Sequence, residues 1–183
     1  EATLTRLDPN REPALVAVFL REQALLKLRI RKPEEALADL AESRRLFAES
    51  GNRREEAMTL CRIAYAALDE GELELASVRA DEAFDLSDTI KHTRAQALSA
   101  ELQGRVALLH GKVKKALEKG KLAQGIFRKL GDNVGDLHAS EWYLRAQLVS
   151  GDIVSVLRNG PKLCEQAYEM QVKEVRVRAV CLV

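Results

Sequence analysis

Aromatic residues are scarce in this 183-residue sequence, at 4% of the total, and it holds only four prolines and ten glycines. Residues branched at Cβ are also sparse beside alanine, leucine, glutamate, arginine and lysine. These shortages argue against a β-sandwich or barrel, and the abundance of strong helix formers favours an all-α fold. Since 46% of the residues are apolar, the chain can bury a substantial core.

No charge of one sign dominates the sequence. It has 29 basic and 28 acidic residues, for a formal net charge of +1. Because a nucleic-acid-binding protein normally gathers a basic excess on one face, we expect no direct nucleic-acid partner. No apolar run approaches the roughly 20 residues that a membrane-spanning helix needs, so we expect no membrane partner either.

Cysteine and histidine are equally sparse. Cys61, Cys164 and Cys181 lie too far apart in the sequence for a disulfide framework or a metal site. The histidines share no metal-ligand spacing, and we expect His92 and His110 in surface turns. There is no glycine-rich phosphate-binding loop. These absences predict a protein that is not an enzyme, binds no metal or cofactor, keeps its thiols reduced and is cytoplasmic.

What the sequence does contain is an internal repeat of forty residues. Glycine recurs at this interval at Gly71, Gly111 and Gly151, and Arg31 takes the place one interval earlier. Small or apolar residues recur at fixed offsets from these positions. They are Ala36, Ala76, Ala116 and Val156 on one side, and Ala24, Ala64, Gly104 and Leu144 with Leu28, Leu68, Leu108 and Leu148 on the other. Several coincidences in one register indicate tandem structural units.

The second interval shows what each unit contains. Apolar residues three and four apart predict one amphipathic helix over residues 54–69 and another over 72–87. Gly71 ends the first, because glycine adopts the left-handed conformation of a helix C-terminus without strain. The short turn predicts an antiparallel hairpin, whose helices approach closely at small residues. We expect a longer junction near Ser87 and Asp88, before the next hairpin.

The register gives four complete units, at 13–51, 52–91, 92–131 and 132–171, and a partial fifth at 172–183. Pro161 is expected to kink or break the second helix of the fourth unit, and Gly120 and Gly125 to weaken that of the third. The C-terminal end is apolar, whereas repeat arrays end on a polar cap. We therefore interpret residues 1–183 as a single array that belongs to a longer protein.

The stretch 60–88 reads LCRIAYAALDEGELELASVRADEAFDLSD and resembles a tetratricopeptide repeat (TPR). The residues at the family's spacing are Leu60, Ala64, Gly71, Ala76 and Ala83. The period exceeds the usual one of about 34 residues and is similar to the extended repeats of large bacterial regulators such as MalT-like transcription activators. The resemblance implies an all-α solenoid, a right-handed superhelix of antiparallel helix hairpins whose first helices line a concave groove.

By this resemblance, first-helix side chains that avoid both packing layers face the groove. The candidate partner-binding residues are Arg21, Met58, Tyr65, Glu101, Arg105, His138, Glu141 and Arg145. Glu101/Arg105 and Glu141/Arg145 repeat one i,i+4 pair. They form either a ladder of alternating charge that holds a partner, or solvated pairs that only stabilise exposed helices. Trp142 is either a hot spot for a partner or packing between units.

These features predict a protein–protein interaction scaffold that binds a peptide or helix segment in its groove, within a signalling or transcription regulator. Two alternatives stay open. The first is an effector-sensing regulatory domain that binds a small ligand. The second is a self-association module, in which the apolar C-terminal helix at residues 171–183 forms a homo-oligomer by completing a neighbour's array.

Overall fold

The computed structural model describes residues 12–172 and residue 175, and over these residues it is all-α, without a β-strand. Between residues 12 and 172 lie eight helices, α1 (Pro13–Arg29), α2 (Pro33–Glu49), α3 (Arg53–Asp69), α4 (Leu73–Thr89), α5 (Thr93–Leu109), α6 (Val113–Leu130), α7 (Asn133–Val149) and α8 (Ile153–Glu169). Within the described residues, none of these helices combines the length and the apolarity needed to cross a bilayer.

The described helices follow one another at a constant interval. α1 begins at residue 13, and each later helix begins twenty residues after the one before it. The helices have 17 residues each, apart from α6, which has 18. The junction between hairpins is therefore as short as the turn within one. The prediction of a longer junction near Ser87 and Asp88 is wrong, because α4 extends to Thr89 and includes both residues.

Every junction in the described chain closes with the same left-handed geometry. Glycine takes the left-handed position at five junctions, with φ between 67° and 85°. Arg31, Lys91 and Gln171 adopt it at the others, with φ of 61°, 55° and 57°. The residue after the left-handed one then donates its backbone N–H five residues back, as from Glu72 to Ala67 at 2.8 Å. These bonds satisfy helix-end carbonyls and place consecutive helices side by side.

The chain divides into two compact units, Glu1–Ala95 and Gln96–Val183. Alanine is frequent in both cores, because facing small residues let helices pack closely. In the first unit the buried clusters comprise Ala24, Ala36, Leu40, Ile63 and Ala66, and also Val16, Ala17, Leu46 and Phe47. In the second unit they comprise Ala107, Ala116 and Ala146, and also Leu137, Leu144, Leu163, Ala167 and Val175.

Two glycines allow helices of the second unit to pack closely. A Cβ on Gly104 in α5 would lie 3.3 Å from the backbone nitrogen of Gly120 in α6 and 3.4 Å from the carbonyl oxygen of Ala116. A Cβ on Gly120 would lie 3.2 Å from Cδ2 of Tyr143 in α7. α6 runs unbroken despite Gly120 and Gly125. The low helix propensity of Gly120 is offset by the packing that only a missing side chain permits.

Pro161 does not break α8, which continues from Ile153 to Glu169; the predicted break is wrong. Proline removes the N–H that would bond to the carbonyl of Leu157, four residues back. Leu157 is 58% exposed and Pro161 is also exposed. Because this stretch of the helix faces solvent, water can satisfy the released carbonyl group.

The helix pairs fall within the four intervals predicted from the repeat, one hairpin to each. That the whole chain forms a single array stays a prediction. The partial fifth unit at 172–183 lies outside the described residues, apart from residues 172 and 175. Val175 is helical and fully buried, and it belongs to the cluster that includes Leu137 and Leu163.

Candidate partner-binding surface

Arg21 of α1 is tied into the first unit. Its side chain is 12% exposed, and its Nη1 donates to Oε2 of Glu55 on α3. Its Nε lies 3.4 Å from Oε1 of Glu22, and its guanidinium carbon lies 5.5 Å from the ring centroid of Phe47 on α2. The charge of Arg21 is therefore already met by two carboxylates, and its plane covers a core aromatic ring.

Arg62 of α3 differs from Arg21, and the sequence reasoning missed it. It is half-buried, and its Nε is buried without a hydrogen-bond acceptor. Burial lowers the pKa of Arg62, and the nearby charge of Arg21 lowers it further, against the opposing carboxylates of Glu22 and Glu55. Among the described residues, no carboxylate forms an ion pair with Arg62.

A spacing signal could have found Arg62. Met58, Arg62 and Tyr65 lie four and then three residues apart, so they share one face of α3. Met58 and Tyr65, both predicted groove residues, are half-buried. Cys61 is fully buried instead, with its Sγ 3.8 Å from the carbonyl oxygen of Ala95. The first unit thus presents a cation between two partly exposed apolar side chains.

In the second unit, both predicted i,i+4 pairs form. Nη1 of Arg105 lies 3.7 Å from Oε1 of Glu101 on α5, and Nε of Arg145 donates to Oε1 of Glu141 on α7 at 3.0 Å. The carboxylates are not solvated, however, because Glu101 is 3% exposed and Glu141 is fully buried. The arginine side chains are 12% and 30% exposed. The groups that reach the surface are thus cationic and do not alternate in sign.

Trp142 joins the two arginines. The guanidinium carbon of Arg105 lies 4.6 Å from its ring centroid, and that of Arg145 lies 4.9 Å from it. Both distances are within the range of a cation–π interaction. Trp142 is half-buried, so it packs α5 against α7 and keeps part of its ring at the surface. We call Arg105, Trp142 and Arg145 the arginine–tryptophan cluster.

No group of metal-ligating side chains gathers around the histidines in the described chain. His138 of α7 is half-buried, one turn before Trp142. His110 is exposed in its turn as expected. His92 also lies in a turn but is half-buried, and burial next to Arg54 lowers its pKa.

Comparison with known proteins shows a similarity in fold to a solved structure. No family model matches the chain, and no curated protein matches it. Among solved structures, the chain is similar to a crystal structure of a variant of a Podosopora anserina protein, described as a kinesin light chain with nearly identical TPR-like repeats. The two share 17% sequence identity and superpose with a TM-score of 0.68, over 92% of this chain and 82% of the other. This chain therefore has the all-α, solenoid-like fold of TPR-like helical repeats.

Proposed function

We propose that this chain is a non-enzymatic scaffold that binds a segment of another protein, either an extended peptide or a helix, on the surfaces of its first helices. TPR-like repeats commonly serve as protein–protein interaction scaffolds, and the present fold supports that general role. The proposed contact residues are Arg21, Met58, Tyr65, Glu101, Arg105, His138, Glu141 and Arg145, and to these we add Trp142.

The arginine–tryptophan cluster is the observation that carries this proposal. Arginine and tryptophan are enriched where interfaces concentrate their binding energy. The buried carboxylates of Glu101 and Glu141 hold the two guanidinium groups in place, and the ring of Trp142 fixes their planes. A partner would meet side chains that are already ordered, so binding sacrifices little side-chain entropy. The planar guanidinium groups suit backbone carbonyls and carboxylates of that partner.

The wider setting belongs to the same proposal. We place the scaffold in the cytoplasm, within a signalling or transcription regulator, with protein or peptide as the partner and no direct contact to nucleic acid or membrane. The near balance of 29 basic and 28 acidic residues supports a protein partner over a polyanion. The sequence resemblance to MalT-like regulators supports the regulatory setting.

Selection from a phage-displayed library of random peptides tests the proposal without knowledge of the natural partner. We expect peptides that bind the wild-type chain and lose at least about tenfold in affinity to Trp142→Ala, since hot-spot truncations cost about 2 kcal/mol or more. Arg145→Gln should weaken the same peptides. Arg45→Gln is the matched control, because Arg45 is exposed on α2 and its ion pairs among the described residues all lie within that helix.

Equal binding of the selected peptides to the wild type and to the double variant Trp142→Ala/Arg145→Gln would remove the cluster from the proposal. Charge reversal is a poorer test. A glutamate at position 145 would sit beside the fully buried carboxylate of Glu141, and the resulting repulsion would destabilise the fold itself.

A second function, the sensing of a small effector, is favoured by a polar cavity between α6, α7 and α8. Self-association through residues 171–183 also stays a prediction, because those residues lie outside the described chain apart from 171, 172 and 175. Light scattering at several concentrations, with and without residues 173–183, tests it. A strict monomer in both cases would end that idea.

A further inference from the structure

The second unit holds an open cavity of about 360 Å³ between α6, α7 and α8. Four side-chain amides line it, from Gln124 on α6, Gln147 on α7, and Asn159 and Gln166 on α8. Two cations line it as well, Lys162 and Arg128, and Arg128 is paired with Asp136. The volume lies within the range of about 300–1,000 Å³ that is typical of small-molecule sites. A cavity with this many donors and acceptors suits a polar ligand.

The first unit has a partial counterpart eighty residues earlier, between α2, α3 and α4, where Arg44, Ile63 and Arg79 correspond to the cavity residues Gln124, Tyr143 and Asn159. That counterpart holds only about 120 Å³. Ion pairs occupy the groove around it. Arg44 lies 3.6 Å from a carboxylate oxygen of Glu56 and 3.9 Å from one of Glu82, and Arg79 lies 2.8 Å from Glu82. The carboxylate of Glu82 thus bridges two arginines.

The bridge through Glu82 has no equivalent in the second unit, because its three residues have changed. Asp136, which corresponds to Glu56, pairs instead with Arg128 at 2.9 Å. Arg44, Arg79 and Glu82 correspond to Gln124, Asn159 and Lys162. Gln124 instead donates to the hydroxyl of Ser140 at 2.7 Å. Lys162 forms no ion pair within the described residues. The place that the carboxylate of Glu82 fills in the first unit is therefore left open beside Lys162 in the second.

Gln147 adds an independent sign that the cavity wall is incomplete. Its side chain is more than nine-tenths buried, and its Nε2 donates to Asp152 at 3.1 Å. Its Oε1 is buried without a hydrogen-bond donor among the described residues. A buried acceptor without a donor is unfavourable. A ligand that brings an N–H or O–H group to this wall would satisfy it.

We propose that the cavity binds a small carboxylic acid that also carries amino or hydroxyl groups, such as a free amino acid or a hydroxy acid. The ligand's carboxylate pairs with Lys162 and accepts from Asn159, and it takes the place that the Glu82 carboxylate holds in the first unit. Its N–H or O–H groups donate to the amide oxygens of Gln124 and Gln147. None of these contacts uses the arginine–tryptophan cluster, so the site stands or falls separately from the proposed scaffold function, and it names the ligand class for the effector-sensing alternative.

Side-chain amide signals in a ¹⁵N-correlated NMR spectrum report directly on the site. The probes are the twenty amino acids, lactate, malate and, for comparison, acetate, each titrated at millimolar concentrations into the full chain. We expect at least one amino or hydroxy acid to shift the amide signals of Gln124, Asn159 and Gln166 saturably. The amide of Gln23 on α1 should stay unchanged and serves as the internal control.

Two variants separate a built site from surface binding. Lys162→Ala should weaken the responding probe at least tenfold, whereas Lys114→Ala, at another exposed lysine, should not. Gln124→Arg/Lys162→Glu rebuilds the ion pair of the first unit and should abolish binding while the fold persists. The proposal is overturned if no amino or hydroxy acid moves the cavity amides, if acetate moves them equally well, or if both variants bind like the wild type.

Discussion

α3 and α7 hold the same place in the repeat, one in each compact unit, yet their exposed faces are built differently. Cys61, Arg62 and Tyr65 on α3 correspond to Glu141, Trp142 and Arg145 on α7. In α7 a buried carboxylate faces the arginine, which also stacks on the tryptophan. In α3 the cation and the aromatic side chain have exchanged positions, and the carboxylate is replaced by a buried thiol.

This difference shows that the position of a residue in the repeat does not determine whether its charge has a partner. The repeat places equivalent residues at equivalent depths, but a half-buried arginine is stabilising only where a carboxylate has been placed to meet it. Arg145 has that carboxylate in Glu141. Arg62 has no ion pair among the described residues. Equivalent substitutions in the two helices should therefore have opposite effects.

The largest effect is expected from Arg145→Met. It leaves the carboxylate of Glu141 buried beside a thioether, and we expect a loss of about 2–3 kcal/mol in the free energy of unfolding, because Arg145 is itself partly exposed. Urea denaturation followed by circular dichroism measures the loss. The double variant Glu141→Met/Arg145→Met should lose less than the single one. A double variant that is as unstable as Arg145→Met would contradict this account.

The next effect concerns the two equivalent phenylalanines, Phe47 and Phe127, both fully buried. Arg21 covers Phe47, whereas the backbone of Gly135 approaches Phe127 so closely that a Cβ would lie 2.4 Å from its ring carbons. Gly135→Ala should thus destabilise the protein by about 2 kcal/mol through overpacking. Gly125→Ala, where a Cβ meets nothing within 4 Å, should stabilise it slightly. Thermal unfolding distinguishes the two, and equal melting temperatures would refute the packing argument.

Arg62→Met should change the free energy of unfolding in the opposite direction to Arg145→Met. It removes a half-buried cation that has no ion pair within the described part of the chain, so we expect the free energy of unfolding to rise by up to about 1 kcal/mol. The same urea denaturation applies. If Arg62→Met lowers stability as Arg145→Met does, the two helices do not differ in the way described.

The smallest effect is a difference between helix caps. Asn52 caps α3 and Asp152 caps α8, through bonds from the backbone N–H of Glu55 and Ser155. Hydrogen bonds from the side chain and backbone of Ser155 hold the pKa of Asp152 below its usual value. Because the folded pKa is the lower one, the stabilisation is present above the usual value near 4 and is lost as the pH falls through the lowered one.

An NMR titration from neutral pH to about pH 2 measures this difference. The amide signal of Ser155 should move as Asp152 is protonated, whereas that of Glu55, bonded to the neutral cap, should not follow the same curve. Asp152→Asn should keep the cap and remove the movement. Movement of the Ser155 signal that persists in Asp152→Asn would assign the titration to another group.

Much of the fold could be predicted from the sequence, because the information is local. The spacing of apolar residues predicted both helices of the second forty-residue repeat, α3 and α4, to within two residues, and Gly71 marked the turn between them. The i,i+4 spacing also gave both Glu–Arg pairs. The sequence did not predict that α8 continues through Pro161, because this depends on which side of the helix faces solvent.

The candidate site was harder to predict, because its chemistry depends on neighbours distant in the sequence. The stacking of Arg105 on Trp142 joins residues on two different helices, and the burial of Glu141 depends on what packs around α7. That no carboxylate of the described residues forms an ion pair with Arg62 is visible only once the positions of Glu22 and Glu55 are known. The repeat register predicts which residues share a helix face, but it does not predict which residues form ion pairs with them.

The constant interval between helix starts has a consequence for how the chain folds. The packed helix pairs in the described chain include α1 with α2, α2 with α3, α6 with α7 and α7 with α8, and all are neighbours in sequence. Contacts between residues so close in sequence need only short loops to close, and proteins rich in them fold quickly. Folding can therefore start at whichever adjacent pair forms first and spread one helix at a time.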